Sequence, residues 1–220
     1  MNTITRRLAT LVATLALAVT AAGCANTPTA TPTADVSDSQ ATLDAINNAS
    51  EITATKSLFS WGDEWVIKAD GEQVGTVTGQ AIYTIGDVYS LTTMNGNLVA
   101  SETEELSAIT HTATLYDWNN QPTGKLEERL VTLTPTVDII HTNSGGSNEI
   151  VGTSTTDFAS LTNQTTITDN TGIVAWNTER HAFTLRTTIT ITRNTAGGTV
   201  TGIDALMVTL MMSEIQRSDK

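Results

Sequence analysis

Between Glu51 and Arg193 the chain alternates apolar and polar side chains with a period of two. Trp65, Ile67 and Ala69 fall on one face of a predicted strand, and Val137, Ile139 and His141 on one face of another. Phe183, Leu185, Ile189 and Ile191 make a third such face, with Thr184, Arg186, Thr188 and Thr190 opposite. A two-residue period belongs to a pleated strand with one side buried. The alternation is broken by clusters of Asn, Asp and Gly: "DGE" (70–72), "NGN" (95–97), "NNQP" (119–122), "NSGGSN" (143–148), "DNTG" (169–172) and "NTAGG" (194–198). These residues tolerate the positive φ angles that tight hairpin turns require. Six hairpins predict about twelve strands. "FSWGDEW" (59–65) and "YTIGDVY" (83–89) also share one pattern, a weak internal repeat with a common structural cause.

An open sheet that wide leaves long unpaired edges, and closure into a barrel removes them. About eight strands make a barrel that side chains can fill, and the diameter grows with strand number, so a wider barrel needs something on its axis. The stretch "GIDALMVTLMMSEI" (202–215) fits that vacancy. From Ile203 to Met212 only Asp204 and Thr209 are hydrophilic, and a helix apolar on every side is a buried helix. Asp204 is predicted to cap it, with Ala205, Leu206 and Met207 in the first turn. A helix over 204–216 spans about 20 Å, short of a ~30 Å bilayer core. Burying Leu206, Met207, Val208, Leu210, Met211 and Met212 contributes roughly 1.5–3 kcal/mol each. The expected fold is mainly β: a closed antiparallel barrel of about twelve strands around a C-terminal hydrophobic α-helix.

The N-terminus predicts where this domain sits. Arg6 and Arg7 precede an uncharged run from Leu8 to Ala22, followed by Gly23 and Cys24. A positive segment, a short apolar segment and small residues form an export signal. The run is shorter than the roughly 20 residues of a stable span. "TAAGC" is similar to a bacterial lipobox, with Ala21 where leucine is usual, which makes Cys24 the lipidated residue. Cys24 is the one cysteine of the 220-residue chain, so no intrachain disulfide can form. The Thr- and Pro-rich stretch after it lacks the apolar content to fold and reads as a tether. The expected organisation is a signal peptide over 1–23, a tether over 24–42 and one barrel domain over 43–220.

Charge narrows the partners. The chain carries 11 Lys and Arg against 23 Asp and Glu, a net charge of −12, and cleavage before Cys24 removes two of the cations. With no basic cluster the sequence predicts no nucleic-acid binding and disfavours attraction to anionic head groups.

Residues 56–106, "KSLFSWGDEWVIKADGEQVGTVTGQAIYTIGDVYSLTTMNGNLVASETEEL", resemble the opening of LURP-one-related proteins of the tubby C-terminal-like superfamily. The resemblance lies in the "LFSWGD" start, the "DGEQVGTV" hairpin, the "IGDVYSLTTMNGNLVAS" unit and the closing "GIDALMVTLMM". It implies a twelve-stranded barrel around a central hydrophobic helix. Phospholipid scramblases share the superfamily. Trp61, Gly62 and Asp63 mark fold rather than chemistry, and no functional residue of the family carries over to this chain.

Candidate chemistry is sparse. His111, His141 and His181 lack metal-ligand spacing, no nucleophile-elbow motif occurs, and no cofactor is implied. Glu102, Glu104 and Glu105 in "SETEEL" read as solvated strand-edge charges, and Trp118 and Trp176 as packing residues. The expected protein is a non-catalytic binding module, anchored through Cys24 on the extracytoplasmic face of a bacterial cell membrane. The alternatives are a phospholipid- or apolar-ligand-binding, scramblase-like protein with a groove beside Met207 and Met211, and a hydrolase without a recognisable motif.

Overall fold

In the computed structural model the described residues are 36–57, 63–82, 86–106, 110–129, 134–157, 164–181, 187–194 and 198–218. Cys24, Trp61, Gly62, Phe183 and Leu185 lie outside them. A first helix, α1 (Val36–Asn48), is followed by β1 (Glu51–Lys56), β2 (Asp63–Ala69), β3 (Glu72–Ile82), β4 (Gly86–Thr93), β5 (Leu98–Leu106) and β6 (His111–Asp117). Then come β7 (Pro122–Glu128), β8 (Thr136–Thr142), β9 (Asn148–Asp157), β10 (Gln164–Asp169), β11 (Val174–His181), β12 (Thr188–Arg193) and a second helix, α2 (Gly202–Ser218). The twelve strands form one closed antiparallel barrel in chain order, completed where β1 pairs with β12. Fold class and strand number match the expectation.

The turns explain the regularity. The β2–β3 hairpin turns on Asp70 and Gly71, with φ of 49° and 86°. Both central residues of that two-residue loop sit in the left-handed region, as the twist of the flanking strands demands. The next four hairpins share another turn. In each, the amide of the fourth residue donates to the carbonyl of the first, as Gly96 does to Thr93, Asn120 to Asp117, Gly146 to Asn143 and Gly172 to Asp169. All four donors have positive φ, with Asn120 at 58°. In all five hairpins the strand that follows the turn holds one extra residue, a β-bulge. The register accordingly shifts just after Leu91, Leu115, Ile139 and Ile167, and after Ile67 in the first hairpin. Ile67, Leu91, Leu115 and Ile139 recur at one fixed interval along the chain, and Ile191 follows Ile167 at the same interval.

The sixth cluster is not followed by another strand: the element after β12 is α2, and 195–197 lie outside the described residues. Five hairpins supply ten strands, and β1 takes the place beside β12 that a sixth partner strand would occupy. A strand from the other end of the chain thus releases the last segment to enter the barrel.

Helix α2 begins at Gly202, two residues before the expected Asp204, because Thr201 rather than Asp204 is the cap. The Asp204 amide approaches Thr201 Oγ1 at 3.4 Å, while Asp204 Oδ2 accepts from the Thr201 amide at 2.9 Å and hydroxyl at 2.6 Å. Cap and third helical residue satisfy one another reciprocally. From Asp204 to Ser213 every residue of α2 is buried, in one cluster with the inward row of Ile52, Trp65, Ile67, Leu91, Leu126, Ile139 and Ile191. Among the described residues no helix is long and apolar enough to cross a membrane.

Helix α1 corrects the tether boundary, since residues 36–42 are helical. Its buried residues are Ser39, Thr42 and Ile46, a stripe at helical spacing with little apolar content. Hydrogen bonds hold it instead: Asn95 and Asn97 donate to Asp38 at 3.2 and 2.9 Å, and Ser39 Oγ donates to the Leu98 carbonyl at 2.6 Å. At its other end the Ile203 amide donates to Asn47 Oδ1 at 3.0 Å, and Arg193 donates to the Asn47 carbonyl. There Gly202 passes so close that a Cβ would lie 2.2 Å from the Ile46 carbonyl oxygen. Helix α1 therefore bridges the β4–β5 turn and the start of α2.

Candidate functional site

At the hairpin end of the barrel, α1, the start of α2, β5 and the β6–β7 and β8–β9 turns line a cavity of about 420 Å³. Its apolar wall comes from Leu43 of α1, Val99 and Ala100 of β5, Leu115 of β6, and Ile203 and Met207 of α2. Tyr116 and Trp118 add aromatic surface, and the polar lining includes Asn47, Asp117, His141 and Asp204. Mostly apolar concavities with a few placed polar groups are the usual form of small-molecule sites.

His141 and Asp204 form an ion pair within this lining. His141 Nε2 lies 3.0 Å from each oxygen of Asp204, whose side chain is only 4% exposed. The hydrogen bond that His141 donates to Asp204 holds the imidazole pKa above its ordinary value against the opposing effect of burial, with charge attraction from Asp204 and Glu149 adding to it. Because Asp204 also engages Thr201, one carboxylate ties the cap of α2 to the wall of the barrel. Alternation placed His141 correctly on the inward face, whereas Asp204, expected as the cap, is the third residue of the helix. That they meet was not legible from either signal.

The structure overturns the reading of Glu102 and Glu104 as solvated. Strand β5 lies in register with Tyr89 opposite Glu102 on one side and Leu115 on the other, which turns Glu102 and Glu104 into the barrel. Glu102 is 1% exposed and Glu104 7%, whereas Glu105 remains in solvent. Burial, with charge repulsion from Glu104 and Asp87, pushes the Glu102 carboxyl well above its ordinary value. Its Oε2 has no hydrogen-bond partner among the described residues. Glu104 Oε1 is 2.6 Å from His111 Nδ1, and the His111 amide donates to Glu128 Oε2 at 3.2 Å.

The three histidines are not brought together. His111 on β6 pairs with Glu104, His141 on β8 with Asp204, and His181 at the end of β11 lies 4.0 Å from Glu179. Among the described residues no group of three or more His, Cys, Asp or Glu could hold a metal ion. Met207 lines the mouth cavity, while Met211, one turn deeper, is packed in the core and does not reach it. Trp176 is a packing residue, as expected: its Nε1 donates to the Val200 carbonyl at 3.1 Å and Arg193 stacks 4.5 Å from its ring centroid. Trp118 differs, since it overhangs the cavity.

Fold and site together define a helix-plugged, twelve-stranded barrel with a cavity at its hairpin end. No protein-family model matches the chain, and no curated protein matches it. Among solved structures it is similar to the X-ray structure of a protein from Arabidopsis thaliana. The identity is 10% and the TM-score 0.48, over 81% of this chain and 98% of that one.

Proposed function

We propose that this protein is a non-catalytic binding module, exported and held at the extracytoplasmic face of a bacterial membrane by lipid on Cys24, whose mouth cavity receives an apolar small molecule or a single lipid chain. The observation that carries the reading is the cavity itself: about 420 Å³, walled by Leu43, Val99, Leu115, Ile203 and Met207, with His141 at one side. Its volume falls within the usual range of ligand sites, roughly 300–1,000 Å³. Membership of the LURP-one-related family belongs to the same proposal, supported by the sequence units around Asp70 and Asn95 and by the closing helix.

Native mass spectrometry of the mature chain released from membranes tests it. The expected spectrum contains an adduct of lipid-like mass, lost in Met207→Trp, which fills the cavity. An adduct-free protein whose melting temperature no lipid raises would refute the reading.

Acid–base catalysis is the second reading, favoured by the Asp204-oriented imidazole. It lacks a partner for His141: among the described residues no hydroxyl is hydrogen-bonded to that ring, as an activated nucleophile would be.

A further inference from the structure

Among the described residues, the large apolar side chains left in solvent are Val36, Met94, Ile150 and Ile173, exposed by 51, 59, 47 and 52%. Scattered single apolar residues on a surface mean little. These four are not scattered over the barrel. Met94 sits in the turn after β4, Ile173 closes the turn after β10, and Ile150 lies just past the β8–β9 turn. Val36 begins α1, which Asp38 ties to the same β4–β5 turn. All four therefore belong to the hairpin end, the end at which the cavity is lined by Trp118, Asn143 and Ser144.

The same rim carries fixed carboxylates. Asp169 Oδ1 accepts from the Thr171 and Ile173 amides at 2.9 and 3.0 Å, and Asp117 Oδ1 from those of Asn119 and Gln121 at 2.8 Å. Asp70 Oδ1 accepts from the Ser50 and Glu51 amides at 3.0 Å. Hydrogen bonds from Ser50, Thr171 and Thr93 hold Asp70, Asp169 and Asp38 below the ordinary carboxylate range. A surface of protruding apolar tips among permanent negative charges is mismatched to anionic lipid and matched to head groups that carry an ammonium.

The geometry points to the hairpin rim as a membrane-facing surface, with Met94, Ile150 and Ile173 entering the head-group boundary of a zwitterionic bilayer and the cavity mouth opening onto it. The inference rests on the proposed anchoring. From Cys24 to Val36 the chain can extend about 40 Å at most, a reach that allows the end bearing Val36 to meet the bilayer. A ligand then passes between bilayer and cavity without crossing open water.

The test reconstitutes the full mature chain in phosphatidylcholine vesicles with and without brominated acyl chains. Three single reporters are compared with the unaltered protein: Met94→Trp, Ile173→Trp and, on the exposed outer wall of β9, Thr155→Trp. The expected result is loss of the added emission at 94 and 173 on brominated vesicles and no loss at 155. Equal quenching at all three, or quenching at 155 alone, in protein that sediments with the vesicles would overturn the facing rim while leaving the anchor standing. Failure of the unaltered chain to sediment with vesicles would overturn both. A detergent-free dimer that shields Met94→Trp and Ile173→Trp from aqueous quencher would assign the rim to a second copy and also overturn the inference.

Discussion

Glu102→Gln is expected to stabilise this protein at neutral pH and leave it unchanged in acid. The carboxyl is 1% exposed, opposite Tyr89 and Leu115, with Glu104 and Asp87 as like-charged neighbours. An acid whose folded-state pKa is raised keeps a proton in the fold that the unfolded chain has already released. The contribution to stability is therefore intact below the unfolded value of about 4.5 and is lost as the pH rises toward the folded value. Over that window one extra bound proton costs the wild type about 1.4 kcal/mol of stability per pH unit. Glutamine has nearly the same shape and no charge to bury, so its curve lacks this slope. The two proteins should unfold together at about pH 4 and separate progressively above it, the separation levelling off once Glu102 ionises in the fold. Urea unfolding at several pH values measures the difference directly, and Glu105→Gln, at the solvated neighbour, is the control. Parallel stability curves for wild type and Glu102→Gln between acid and neutral pH would refute the reasoning, since they would show Glu102 ionised in the folded barrel.

Three other substitutions probe the helix and its cap. Asp204→Asn removes the partner that holds the His141 pKa up, so the His141 titration followed by NMR should move down. The stability His141 contributes is present below its unfolded pKa of about 6.5 and fades as pH rises through the raised folded value; in Asp204→Asn that dependence should vanish. Gly202→Ala places a methyl group 2.2 Å from the Ile46 carbonyl oxygen and should cost about 1–3 kcal/mol in urea unfolding, as overpacked sites do. Leu206→Ala opens a void beneath a fully buried side chain and should cost about 2–5 kcal/mol by the same assay. A neutral result there would contradict α2 as the barrel's axis.

Much of the barrel was legible because its turns are local chemistry. Gly71, Gly96, Asn120, Gly146 and Gly172 stand where the backbone needs positive φ, and that need is visible in a handful of consecutive residues. The cluster at 194–198 misled for the same reason: a turn-forming composition says that the chain bends and nothing about what it pairs with next. Helix α1 was missed because Ser39, Thr42 and Ile46 make a poor apolar stripe, and the bonds that hold it come from Asn95, Asn97 and Leu98, far along the chain. In β5, Val99–Ser101–Thr103 and Ala100–Glu102–Glu104 are two faces of mixed character. Hydrophobicity could not choose between them, although a one-residue slip exchanges them completely.

The sequence by itself determined where this chain turns, which stretches extend between the turns, and that Leu206 to Met212 must be buried, because each follows from the side chains of neighbouring residues. Tertiary structure alone decided that β1 pairs with β12, that Glu102 points inward, and that His141 meets Asp204 across 63 residues of chain. Those outcomes depend on register summed around a closed barrel, where every pairing constrains the next and no single segment carries the answer.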